Sequence, residues 1–155
     1  MKVEYINSFI SATINTFKGF LNADLKAGKP YLFDQSKNSI KYDISGIIGL
    51  AGDVRGPIVI SFPKIVALKI VSDFLHEDTK IFGDDVIDTI GELINIIAGN
   101  AKKDLEKFRI MISLPSVIKG PNHQINWMQG VPVITIPFNS KYGPVYLFVS
   151  MRNID

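Results

Sequence analysis

Cysteine is absent from the 155 residues. Its absence excludes disulfides, thiolate-held metal and a thiol nucleophile. Histidine is nearly absent too. His76 and His123 lie far apart and neither has a companion at ligand spacing, so they read as a helix-end residue and a turn residue rather than metal ligands. No stretch approaches the roughly 20 consecutive apolar residues of a membrane span. The opening MKVEYINSFISATINTFKGFL has no apolar signal region, because Glu4, Asn7, Ser8 and Asn15 interrupt it and no small-residue cleavage pattern follows. A cytoplasmic location is the default that remains. The formal net charge is only +2 and Lys102-Lys103 is the one adjacent basic pair, which argues against nucleic acid as a partner. Gly46, Gly49, Gly52 and Gly56 form neither GxGxxG nor a P-loop, and read as strand and hairpin glycines.

Apolar residues make up 46% of the chain and charged residues 21%, an ordinary globular balance. The length suits a single domain over 1–155. Ile6, Phe9, Ile10, Ile14, Phe17, Leu21 and Leu25 recur at helical spacing, and Gly28-Lys29-Pro30 supplies a stop signal. Tyr31–Phe33, Ser39–Leu50 and Ile58–Phe62 read as strands, with Gly52-Asp53 and Gly56-Pro57 marking a hairpin between the last two. Pro63 opens a second helix to about Leu75. Phe9, Phe17, Phe20 and Phe74 lie at helix spacing and are expected in the core. Asp84 is the expected N-cap of a third helix, with Asp85 and Asp88 complementing its dipole. Arg109–Leu114, Gln124–Met128, Val131–Pro137 and Val145–Met151 then read as strands, with Trp127 packed. Helices and runs of strands in this order predict an α+β fold, in which long amphipathic helices pack on a largely antiparallel sheet. Each half begins with a long helix followed by strands, a pseudo-twofold repeat that sets Ala12-Thr13-Ile14-Asn15 against Glu92-Leu93-Ile94-Asn95.

The third helix carries the chemistry. Its apolar side is Val86, Ile87, Ile90, Ile94, Ile97, Ala101, Leu105 and Phe108, and its polar side is Asp88, Glu92, Asn95, Gly99, Lys102 and Glu106. Asn95, Gly99 and Asn100 together cost about 2 kcal/mol of helix preference relative to Ala. Local rules are often broken where function needs a particular side chain. A carboxylate three residues before a carboxamide places two groups about 5–6 Å apart at Cβ. The pair has no activated hydroxyl or thiol beside it for nucleophilic catalysis. A Glu can accept a salt bridge or act as a base. An Asn can donate to and accept from one water at once, and carboxamide positioning of water is a known device in phosphoryl transfer. A solvated, inert face fits the same spacing.

The run Asp88-x3-Glu92-x2-Asn95, continuing Ile96-Ile97-Ala98-Gly99-Asn100-Ala101, resembles the signature helix of the CheC/CheX/FliY chemotaxis phosphatases, the CheX branch most of all. Ser113-Leu114-Pro115-Ser116-Val117-Ile118-Lys119-Gly120 is similar to the strand and Pro turn that follow that helix. The resemblance covers most of the chain, with its specificity in residues 84–120. It implies a phosphatase acting on the phospho-aspartate of the response regulator CheY. Glu92 would pair with a lysine of the partner and Asn95 would hold the attacking water. Asp88, Ile96, Gly99 and Lys102 would complete the docking surface. The resemblance also implies no cofactor of the chain's own, Mg²⁺ being supplied by the phosphorylated partner. With Ala12 at the place of a second Glu, one site should work, and the family habit implies a homodimer built by sheet extension. Val145–Met151, strand-like and without a following helix, offers a candidate edge. Two other readings stay open: a binding module for a response regulator or flagellar-switch component that does not hydrolyse, and a structural homodimerising domain with an inert stripe.

Overall fold

The structure is a computed structural model that describes residues 3–37 and 40–153. In chain order it contains α1 (Val3–Leu21), β1 (Lys26–Ala27), β2 (Tyr31–Leu32), β3 (Ile44–Gly52), β4 (Val54–Phe62), α2 (Lys64–Leu75), α3 (Asp84–Asp104), β5 (Ile110–Ile112), β6 (Ser116–Lys119), β7 (Ile134–Ser140), β8 (Gly143–Val149) and β9 (Arg152–Asn153). The strands form one antiparallel sheet in the order β1-β7-β8-β4-β3-β5, with β2 beside β7, β6 beside β3 and β9 beside β4. The three helices cover one face. Fully buried Ile44, Ile48, Ile58 and Ile60 on that face pack with Phe9, Phe17, Ile90 and Ile94. Alternation along β3 and β4 sends Ile47 and Val59 to the other face. There they meet Tyr42, Val133 and Phe148, with Phe33 and Trp127 against them.

Several boundaries differ from those the sequence suggests. α1 stops at Leu21 rather than running to Leu25: Asn22 adopts φ 49° and donates back to the Lys18 carbonyl, a left-handed helix stop. β4 starts at Val54, so the hairpin turn is Asp53, and Gly56-Pro57 lies inside the strand opposite Leu50 and Gly49. Gly83, not Asp84, is the N-cap of α3, which places Asp84 and Asp85 in the first turn. Leu105 caps the other end, and Phe108 lies past the helix, edge-on to Tyr5 at 5.1 Å. Gln124–Met128 is not a strand. Its alternation is real, since Ile125 and Trp127 are half-buried and Gln124 and Asn126 exposed. It arises because the segment lies on the sheet face, with Trp127 5.8 Å from the Phe148 ring, without joining a ladder. Phe20 is exposed, not core; it stacks at 6.1 Å on half-buried Phe74 where α1 meets α2. Ser39 lies outside the described residues.

The largest correction concerns the free edge. Most of Val145–Met151 belongs to β8, which ends at Val149 and lies between β4 and β7 in the sheet interior. The outer positions belong to the short strands β1 and β2 at one end and β5 and β6 at the other. These two ends are related by the internal repeat. From Ala27 to Tyr31 the chain takes four steps while β7 takes three, from Phe138 to Thr135. From Ile112 to Ser116 it takes four while β3 takes three, from Leu50 to Ile47. Each edge thus carries a β-bulge of one extra residue. Gly28-Lys29-Pro30 forms the first and Ser113-Leu114-Pro115 the second. The stop signal at Gly28-Lys29-Pro30 is therefore an edge bulge, not a helix end.

Candidate functional site

α3 is fixed from below. Val86, Ile90, Leu93, Ile94, Ile97, Ala98 and Ala101 are buried, and Gly46 of β3 presents bare backbone to the helix: a Cβ there would sit 3.1 Å from Ile94 Cγ2 and 3.2 Å from Ile90 Cγ2. α1 holds it from the side. Asn100 Nδ2 donates to Thr16 Oγ1 at 3.2 Å, and Lys107 pairs with Glu4 at 2.9 Å. Asn100, one of the helix-averse residues, is thereby accounted for by helix packing. Gly91 is accounted for as well. It is buried beneath β6, where a Cβ would meet Val117 Cγ2 at 3.4 Å, so its small size allows close approach of strand to helix.

Gly99 and Asn95 have no such internal explanation. A Cβ on Gly99 would meet nothing within 4 Å. Asn95 is half-buried, Asp88 and Glu92 are exposed, and none of these three side chains makes a hydrogen bond or ion pair within the described residues. Ile96 is half-buried beside them and Lys102 is exposed one turn further on. The helix therefore brings the six predicted residues onto one accessible stripe. Beside it lies a shallow depression of ≈ 300 Å³ lined by Ile87, Asp88, Gly91, Glu92, Pro115 and Val117. The far wall of this depression, Pro115 and Val117, was not among the candidate residues drawn from the sequence. The Leu-Pro dipeptide could have signalled it, since Pro forces its predecessor into extended backbone and breaks a ladder.

The stripe has no counterpart on α1. Ala12 is buried at 2% exposure whereas Glu92 is exposed, so the alignment of these two is one residue out of phase. Exposed Ser11 and half-buried Ile14 match Glu92 and Asn95 in exposure instead. Under either alignment α1 lacks the carboxylate. Among the described residues no group of three or more His, Asp or Glu could hold a metal ion, and no helix is long and apolar enough to cross a membrane.

Three helices on a largely antiparallel sheet, with two edge bulges related by an internal repeat, define a CheC-like α+β protein. The chain belongs to the chemotaxis phosphatase CheX family, whose sequence pattern matches residues 44–139. It is 28% identical over 128 residues, 81% of this chain and 81% of its relative, to the CheY-P phosphatase CheX of Thermotoga maritima. Among solved structures it is similar to a CheC-like superfamily protein from Shewanella sp. PV-4, with a TM-score of 0.89 and 33% identity over 99% of this chain and 100% of that one. It is also similar to CheX in the CheX–CheY–BeF3–Mg²⁺ complex of Borrelia burgdorferi, with a TM-score of 0.84 and 28% identity over 98% of this chain and 100% of that one.

Proposed function

We propose that this chain, as a single CheX-like domain over 1–155, is a cytoplasmic phosphatase that hydrolyses the phospho-aspartate of a CheY-type response regulator. One observation carries the reading: Glu92 and Asn95 stand on the accessible side of a helix packed on the core, with no partner among the described residues. Glu92 pairs with a lysine near the regulator's phosphorylation site and sets the docking register. Asn95 enters the regulator's active site and holds a water in line with phosphorus. The water oxygen bonds to phosphorus as the bond from phosphorus to the aspartyl oxygen breaks. The regulator regains a carboxylate, and the water's proton leaves with inorganic phosphate. The chain contributes positioning, and the partner's own Mg²⁺ and lysine stabilise the charge that develops. The similarity to a CheX that forms a complex with CheY, BeF3 and Mg²⁺ supports this division of labour. Asp88, Ile96, Gly99 and Lys102 frame the contact. The chain acts as a homodimer, and its candidate edges for sheet extension are β1–β2 and β5–β6, since β8 is interior.

The test is the decay of phosphorylated regulator, charged with a small phosphodonor in Mg²⁺, with and without this protein. Faster decay is expected. An unchanged decay rate accompanied by tight binding would select the non-catalytic binding module of the same fold, and no binding at all would leave only a structural role. Glu92→Ala is expected to weaken docking and catalysed decay together by about tenfold, the scale of one charge-assisted contact. Gly99 separates stability from function. Gly99→Ala finds open space and gains about 1 kcal/mol of helix preference, so its melting temperature rises. Gly99→Leu keeps the fold but obstructs the partner, and loses binding measured by titration calorimetry.

A further inference from the structure

We infer that Leu114, carried on the edge bulge between β5 and β6 and next in the chain to the Pro115 wall of the Glu92 depression, is a docking and specificity residue for the response regulator. The inference rests on the phosphatase reading above and deepens it. Leu114 is 88% exposed, the most exposed of the large apolar side chains among the described residues. A free leucine in a mobile loop would mean little, but this one is held. The Ser113 N–H donates to the Gly49 carbonyl at 2.9 Å. The Gly49 N–H donates to Ser113 Oγ at 2.9 Å, and that hydroxyl donates to the Leu114 carbonyl at 2.9 Å. Ile112 and Ser116 are anchored on β3 at either side. Pro115 restricts Leu114 to extended backbone. Two residues, Leu114 and Pro115, thus face the single Ile48, and the surplus turns the leucine out to water. Bulges of this kind re-aim side chains and occur next to active sites.

Pro115, the residue after the leucine, lines the depression that also contains Asp88 and Glu92. That surface joins two carboxylates without an ion pair among the described residues to an apolar wall of Ile87, Pro115 and Val117. Its complement is a basic side chain flanked by apolar surface, and the lysine proposed to pair with Glu92 supplies the basic group. The internal repeat provides the comparison. The first-half bulge is built alike, with the Gly28 N–H donating to the Pro137 carbonyl at 2.7 Å, yet it presents exposed Lys29 where the second half presents Leu114. Its neighbouring helix α1 lacks the carboxylate. The apolar knuckle and the Glu-Asn helix occur together, on one half only.

The test measures affinity for the beryllofluoride-activated regulator by titration, and kcat and KM on the phosphorylated form. Leu114→Ala should weaken binding and raise KM about tenfold, and Leu114→Asp about 100-fold, with kcat unchanged in Leu114→Ala. Leu114→Met should restore wild-type affinity. Lys29→Ala, on the opposite bulge, should change nothing. The side chain is solvated, so all variants should melt with the wild type. Wild-type affinity and KM in both Leu114→Ala and Leu114→Asp would overturn the inference while leaving the phosphatase reading intact. A change of molecular mass by light scattering in Leu114→Asp, with KM unaltered, would overturn it by assigning Leu114 to a contact between copies of the chain. A wild type that neither binds nor accelerates decay would overturn the phosphatase reading and the inference with it.

Discussion

Asn95→Ala is expected to lower kcat on phosphorylated regulator by about 100-fold, the scale on which removal of one preorganised polar group acts, while binding of the beryllofluoride-activated regulator changes by less than about threefold. The split follows from what the carboxamide can do. It carries a donor and an acceptor on one rigid plane, so it can fix both the position and the orientation of a water, an effect realised in the transition state rather than in the docked complex. Asn95 is half-buried, and its side chain has no partner within the described residues; removing it leaves no internal group unsatisfied and should not destabilise the fold. Helix preference changes in favour of Ala. Loss of turnover with an unchanged or raised melting temperature therefore assigns Asn95 to chemistry. A fall in affinity equal to the fall in kcat/KM would assign it to docking instead. Single-turnover decay of labelled phosphoryl regulator, run beside the binding titration, distinguishes the two.

The largest stability effect is expected at Gly56, far from the stripe. Gly56 has φ 149°, a conformation open to glycine and costly for other residues, and a Cβ there would lie 1.8 Å from the Ser150 carbonyl oxygen and 2.8 Å from its carbon. Neither backbone can yield easily, because β4 is paired on both sides, to β3 and to β8. Strain and steric overlap of this kind add to on the order of 4 kcal/mol, a large part of the stability of an ordinary domain. Gly56→Ala should therefore lower the urea midpoint by about 2 M at an m-value of about 2 kcal/mol/M. A midpoint within about 0.3 M of wild type would show that the β4–β8 junction can open without cost. Gly99→Ala serves as the contrast, since the same added methyl on an open helix face moves the midpoint the other way.

Much of the architecture follows from local pattern. The 3.6-residue recurrence through Val86, Ile90, Ile94, Ile97 and Ala101 fixed which side of α3 would be buried, and with it which side would carry Asp88, Glu92 and Asn95. Pro63 placed the start of α2 to within a residue. Failures came where a local signal had more than one structural use. Gly28-Lys29-Pro30 signals a stop, but a stop and a bulge need the same residues, and only pairing with β7 decides between them. The alternation at Gln124–Met128 marks one buried side, yet burial on a sheet face and membership of a sheet give the same pattern. A strand lacking a following helix can be an edge or a centre, and β8 is a centre because β4 and β7 close on it from both sides.

By itself the sequence determined the amphipathic helices, the glycine-marked hairpin and the acid-amide pair with its resemblance to a phosphatase helix, because each of these depends on spacing along a few turns of chain. The tertiary structure alone decided that Pro115 and Glu92 line one depression, that Ala12 is buried, and that Leu114 stands exposed on an edge bulge. Those facts depend on strand register across residues some 60 positions apart in the chain, such as Gly49 and Ser113. Register is set by the combined hydrogen bonds and packing of the whole sheet, which no short window of sequence contains.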